Sequence, residues 1–156
     1  MTVDLFGAEL VPGNERDGYA SRELELGPSL GATGWGGTIY ELSPGERICP
    51  YHWHAAEEEW LLVLTGRPTL REPDGEQVLR PWDVAVFRRG PAGAHEVRND
   101  TAEPVRVLML STIANPEICV YPDSGKIGAW HRGEDGTIRG LRNRPEANID
   151  YYDGEK

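Results

Sequence analysis

The strongest constraint on this chain is its punctuation. From Gly36 onward, short apolar stretches are cut by turn formers: Thr38 to Leu42 before Ser43-Pro44-Gly45, Trp60 to Leu64 before Thr65-Gly66, Pro68 to Arg71 before Asp74-Gly75. Arg47 to His54 reads as a further strand, and the pattern runs on through Gln77 to Leu79, Val84 to Phe87, His95 to Arg98 and Val105 to Ser111. Strand-like segments recurring about every 8 to 12 residues with turn signals between them predict an all-β sandwich or barrel. Composition agrees, since 19 glycines and 12 prolines among 156 residues suit a turn-rich domain better than a helical bundle. At this length one hydrophobic core is expected. Asp74-Gly75, between Thr69-Leu70-Arg71 and Gln77-Val78-Leu79, is the clearest hairpin, because Asp-Gly tolerates the positive φ of a tight turn.

The flanks differ from this middle. Residues 1–34 carry only scattered apolar touches without a 3.6-residue period and read as an extended arm, packing on the barrel or on a partner subunit. The barrel is expected over 35–122, with Ile118 to Tyr121 as its last strand, and 123–156 as a loop-rich tail. A net charge of −10 argues against nucleic acid and anionic membrane surfaces as partners. No basic and apolar leader opens the sequence and no apolar run approaches a membrane span, so a soluble, cytoplasmic protein is expected. Cys49 and Cys119 lie far apart without a CxxC pattern, which fits small apolar core residues in a reducing compartment, although Cys49 stands close to His52.

Chemistry concentrates at the histidines. His52-Trp53-His54 on a strand puts both imidazoles on one face and turns Trp53 away. Glu59 follows in the acidic run Glu57-Glu58-Glu59, and His95 falls on a neighbouring strand. Three neutral imidazoles and a carboxylate suit one divalent Fe, Mn, Ni, Cu or Zn ion, with positions left for water or substrate. An HxH pair alone is common, and a run of glutamates alone is usually a solvated face. The weight comes from three of only four histidines falling beside strand-like segments framed by Gly45, Gly66 and Gly93.

At these residues the sequence resembles the cupin superfamily. The first motif falls on Gly45, His52, His54, Glu59 and Gly66, and the second on Pro91, Gly93, His95 and Asn99. The 15 residues between Gly66 and Trp82 match the usual distance between the motifs. Two features depart from the pattern: Trp82 stands where the second motif normally opens with Gly, and the loop from Asp83 to His95 is longer than the minimum. The resemblance covers residues from about 35 to 112 and extends to small bacterial single-domain cupins that lack an assigned reaction. It implies a double-sheet jelly-roll β-barrel in which His52, His54, Glu59 and His95 converge on one divalent transition metal per chain. Glu59 is preferred to Glu58 because its spacing to Gly66 fits and because an inward Glu59 carries Leu61 and Val63 inward with it. An acceptor holding an imidazole N–H is expected, but the sequence does not identify it.

Strand parity makes Tyr40, Leu61, Val63, Phe87, Val97 and Met109 candidates for the lining of a small-molecule pocket. Tyr40 and His131 are the candidate catalytic groups beyond the metal set, His131 as a possible lid residue beside Trp130. The five tryptophans are assigned mostly to core or interface packing, and Arg88-Arg89 could steer an anionic substrate. Three function classes stay open: an enzyme (dioxygenase, isomerase or epimerase, cyclase or lyase), a non-catalytic ligand-binding or sensing module, and a structural barrel. The intact ligand set argues against the last, and the short N-terminal arm leaves no room for the helix-turn-helix domain that sensing cupins often carry. A homodimer with exchanged arms is expected, as in many small cupins.

Overall fold

Period-two alternation with frequent turns leaves the chain one way to satisfy its backbone groups, which is antiparallel pairing. A computed structural model describes residues 2–133, 137–147 and 152–153. In chain order the elements are β1 (Val11–Pro12), β2 (Arg22–Glu25), α1 (Leu26–Leu30), β3 (Trp35–Leu42), β4 (Trp53–His54), β5 (Glu59–Thr65), β6 (Thr69–Glu72) and β7 (Gly75–Val78). There follow β8 (Val84–Phe87), β9 (Glu96–Arg98), β10 (Val105–Thr112), β11 (Glu117–Tyr121), β12 (Lys126–Arg132) and β13 (Ile138–Asn143). One sheet runs β1-β2-β3-β10-β5-β8, a second β13-β12-β11-β4 and a third β7-β6-β9. The segment before β4 links the last two: His52 and His95 exchange backbone hydrogen bonds of 3.1 and 2.9 Å, and Ile48 N donates to Val97 O at 3.0 Å. Two antiparallel layers therefore face each other as a jelly roll. The expected hairpin forms between β6 and β7, where Glu72 pairs with Gly75 and Gly75 takes φ +136°.

The long sheet is apolar on both faces. Leu61 and Val63 on β5 and Val107 and Met109 on β10 turn inward and join Leu70, Leu79, Phe87 and Val97 in a core between the layers, with Tyr40 against it. The alternate residues Ile39, Leu64 and Leu108 face outward, where Leu10 and Leu26 bury them together with Val3, Leu5 and Ala8. The first 34 residues thus do more than extend: they form β1, β2 and α1, and lay a second core over the outer face.

The stretch 123–156, read as loop-rich, contains the hairpin β12–β13. Its strands escaped the sequence reading because β13 is exposed at every position and carries no apolar alternation. Residues 134–136, 148–151 and 154–156 of that tail, and Met1, lie outside the described residues. Core packing of most tryptophans does not hold: Trp35, Trp60 and Trp82 are exposed and Trp53 and Trp130 half-buried. Among the described residues no helix is long and apolar enough to cross a membrane.

Two motif glycines have a steric reason. A Cβ on Gly93 would lie 1.8 Å from Arg88 O, and one on Gly66 (φ +80°) 2.6 Å from Val105 Cγ1, so no other residue fits either turn. Asn99 is fully buried and pins the end of the β9 strand, donating to Leu42 O (3.0 Å) and Glu103 O (2.8 Å) while accepting from Thr101 N (3.0 Å).

Candidate metal centre

Extended backbone through His52 and the two residues of β4 turns His52 and His54 to the interior and Trp53 away, as the sequence requires, and the isolated bridge of His52 with His95 brings the third imidazole alongside. Glu59 opens β5 on the facing layer, two residues before inward Leu61. His52 Nε2 lies 3.0 Å from His54 Nε2. Glu59 Oε2 lies 3.1 Å from His54 Nε2, 3.1 Å from His95 Nε2 and 4.0 Å from His52 Nε2. All four sequence-predicted ligand residues are brought to one point.

The direction of the protons gives this cluster its chemical meaning. His52 Nδ1 is 2.9 Å from Pro50 O, His95 Nδ1 is 2.9 Å from Gly93 O, and His54 Nδ1 is 3.3 Å from Glu117 Oε1. Those three oxygens only accept, so each Nδ1 carries the proton and each neutral ring presents a lone pair at Nε2. Three lone pairs and a carboxylate oxygen then converge with no donor among them. Glu59 Oε2 and His95 Nε2 are buried and make no hydrogen bond despite their proximity. Metal bonds of about 2.1 Å at right angles would place neighbouring ligand atoms about 3.0 Å apart, which fits the His52–His54, His54–Glu59 and His95–Glu59 separations. The set fits a divalent cation.

Charge acts differently on the three groups. Burial holds His52 well below the usual imidazole value, at about 4, and the neighbouring His95 and His54 add to this. Burial also opposes the charged form of His54, yet Glu59, Glu57 and Glu117 outweigh it and raise this imidazole. Burial disfavours the Glu59 carboxylate too, but His54 and His95 hold it far below the usual carboxylate range. Phe87 stacks flat on His95, ring centres 3.7 Å apart, and closes the inner side.

Glu117 is the acceptor that the sequence left unidentified. Fully buried at the start of β11, it takes the His54 Nδ1–H and the backbone N–H of Ala55 at 3.1 Å. Glu57 stands 3.7 Å from the same Nδ1 and accepts from Ala114 N. Glu117, Cys119 and Tyr121 alternate inward on β11, and that parity was the one available signal. Cys119 is buried within reach of His52 and His54, so that one ligand atom from each lies within 4.8 Å of the others; burial pushes its thiol up to about 12. Cys49 Sγ lies 3.5 Å from His52 Nδ1, and both cysteines are free thiols.

Tyr40 is half-buried near Glu59 and Cys49, and burial raises its hydroxyl above the usual tyrosine value. His131 is not brought to the cluster. Glu117 faces Trp130 across β11 and β12, so the next residue, His131, points to the opposite side and is exposed. Arg88 and Arg89 are exposed and line none of the described cavities.

Known proteins resemble this chain in sequence and in fold. A family profile described as cupin domain matches residues 38–111, which span both motifs. The tetracenomycin polyketide synthase protein TcmJ of Streptomyces glaucescens is 35% identical over 112 residues, covering 69% of this chain and 72% of that protein. The chain is a cupin. Among solved structures, this cupin matches a sugar phosphate isomerase of the cupin superfamily from Silicibacter pomeroyi with a TM-score of 0.78, at 24% identity over 98% of both chains. A candidate sugar phosphate isomerase from Acidithiobacillus ferrooxidans gives 0.71 at 26% identity, over 85% of this cupin and 81% of that chain. A predicted oxalate decarboxylase from Thermotoga maritima gives 0.60 at 16% identity, over 73% and 100%. The two matches below 25% identity speak to the fold alone.

Proposed function

We propose that this cupin is a metal-dependent enzyme of isomerase or epimerase type, acting on a small, polar, enolisable molecule, with one divalent transition metal held by His52, His54, His95 and Glu59. The observation that carries it is the convergence of three Nε2 lone pairs and the Glu59 carboxylate with no donor between them. A cation held there would supply Lewis-acid polarisation of a substrate oxygen. The chain's own residues set the conditions for it. Pro50, Gly93 and Glu117 fix the three rings by their Nδ1 protons. Phe87, Leu61, Val63, Val107 and Met109 exclude water from the inner side. Tyr40, protonated at neutral pH, offers a hydroxyl to a substrate oxygen.

The name of the Acidithiobacillus protein supports the isomerase type over the dioxygenase or cyclase types, which could use the same ligand set. The protein is taken to work as a cytoplasmic homodimer, and a monomer by light scattering would remove the dimer. Metal analysis tests the centre: wild type should hold about one divalent ion per chain, and His52→Ala or His95→Ala should lose most of it. No ion in either the wild type or a reconstituted sample overturns the metal. Reaction type is tested by incubating the Fe(II) and Mn(II) forms with sugar phosphates, enols and organic acids. Isomer formation without oxygen uptake is expected. Thermal shifts without turnover across the whole panel would instead make it a binding module.

A further inference from the structure

A cavity of about 580 Å³ lies where the N-terminal segment meets β11, β12 and β13. Arg16 and Tyr19 from that segment, Cys49, and Tyr121, Lys126 and Arg142 from the three strands form its walls, and no carboxylate lines it. In a chain of net charge −10 such a wall is not average surface. Strand parity puts the cations there: Lys126 shares the inward face of β12 with buried Gly128, and Arg142 pairs with Gly128 across the hairpin.

These three cations differ from others in the protein. Arg47, Arg71, Arg98 and Arg106 each pair with a carboxylate. Arg16, Lys126 and Arg142 have no carboxylate partner among the described residues. Aromatic faces hold two of them in place without neutralising them: Lys126 Nζ lies 4.8 Å from the centre of the Tyr121 ring and the Arg142 guanidinium 5.7 Å from that of Trp130. The Tyr121 ring also stacks on His52, with centres 5.9 Å apart and planes 27° from parallel, and Cys49 Sγ touches the same imidazole. Two residues of the cavity wall, Cys49 and Tyr121, thus lie directly against His52 of the candidate metal centre.

Resting on the enzyme reading above, we propose that this cavity is the anion subsite of the substrate pocket and that the substrate carries a phosphate monoester. Two guanidinium forks, an ammonium and two tyrosine hydroxyls match the charge and many acceptor oxygens of a dianion better than those of a single carboxylate. With phosphate seated against Lys126 and Arg142, the remainder of the molecule extends toward Cys49 and Tyr121, the wall residues that border His52. The size is in the range of small-ligand pockets.

Calorimetric titration of the protein as purified, with metal content measured on the same samples, tests this. Inorganic phosphate and an aldose phosphate should bind, and the unphosphorylated sugar should bind far more weakly. Lys126→Met and Arg142→Met should each weaken phosphate binding by about tenfold, the scale of one charge-assisted contact, with metal content unchanged. Arg16→Met, in a turn of the N-terminal segment, gives the same readout should Arg142→Met fold poorly. His95→Ala, deprived of metal, should keep its phosphate affinity, which separates failure of the subsite from failure of the metal centre. Phosphate binding that disappears with the metal, that is unaffected in Lys126→Met and Arg16→Met, or that is weaker than binding of malonate would overturn the subsite.

Discussion

The two faces of the long sheet use the same kind of residue for different ends. On the inner face, Leu61, Val63, Val107 and Met109 set the depth and register of Glu59 against the three imidazoles. On the outer face, Ile39, Leu64 and Leu108 contribute only burial, and they obtain it from Leu10 and Leu26 of the N-terminal segment, whose elements are short. The inner face needs position, whereas the outer face needs only cover. Register errors would be felt on the first and loss of area on the second.

That contrast can be broken experimentally. Leu61 and Leu64 are 0% and 2% exposed, so Leu61→Ala and Leu64→Ala should each cost about 3 kcal/mol in denaturant unfolding. Only Leu61→Ala should also weaken metal uptake, because it loosens the strand that carries Glu59. Equal metal affinities in the two variants would erase the distinction between the faces. Glu117→Gln keeps the shape of the inner site but no longer holds the His54 Nδ1 proton with a carboxylate. Metal affinity should fall about 10- to 100-fold, with little change in fold by circular dichroism, and an unchanged affinity would leave Glu117 a purely structural group.

The smallest effect concerns the rim of the outer face. Asp83 N donates to Arg80 O at 3.0 Å, closing a turn in which Pro81 is followed by Trp82 at φ +75°, the position where such a turn favours Gly. Trp82→Gly should raise stability by about 1 kcal/mol through relief of backbone strain. A loss instead would mean that the Trp82 contact with Phe6 of the N-terminal segment, ring centres 5.7 Å apart, outweighs that strain.

Most strands of the middle region were legible where turns cut them, although the expected strand Arg47 to His54 forms only over Trp53–His54, and the candidate site was legible because its four groups sit inside two short motifs whose parity is fixed by period two. Legibility stopped where partners come from distant segments. Glu117 meets His54 only because Cys119 pairs with His54 across β11 and β4, a register that no local spacing encodes. The trio Arg16, Lys126 and Arg142 is gathered from three separate stretches in the same way, while the adjacent pair Arg88-Arg89, conspicuous in the sequence, ends in solvent. The sidedness of β5 and β10 was legible only through Glu59: both faces are apolar, and it is the inward carboxylate that sets the parity by which Leu61, Val63 and Met109 read as inward, as the core shows them.

The N-terminal segment reaches both places at once. Leu10 and Leu26 plug the outer core, and between them Arg16 and Tyr19 line the cavity, tied down by Ala20 N to Glu46 Oε2 at 2.7 Å and by Arg47 against the Tyr19 ring. Undocking this strap would remove a cavity wall and bare the back of the sheet in one event. Occupancy of the cavity and retention of the strap are thus thermodynamically linked, and a ligand that bridges the two should slow proteolytic cutting between β1 and β2, far from any bond it makes itself.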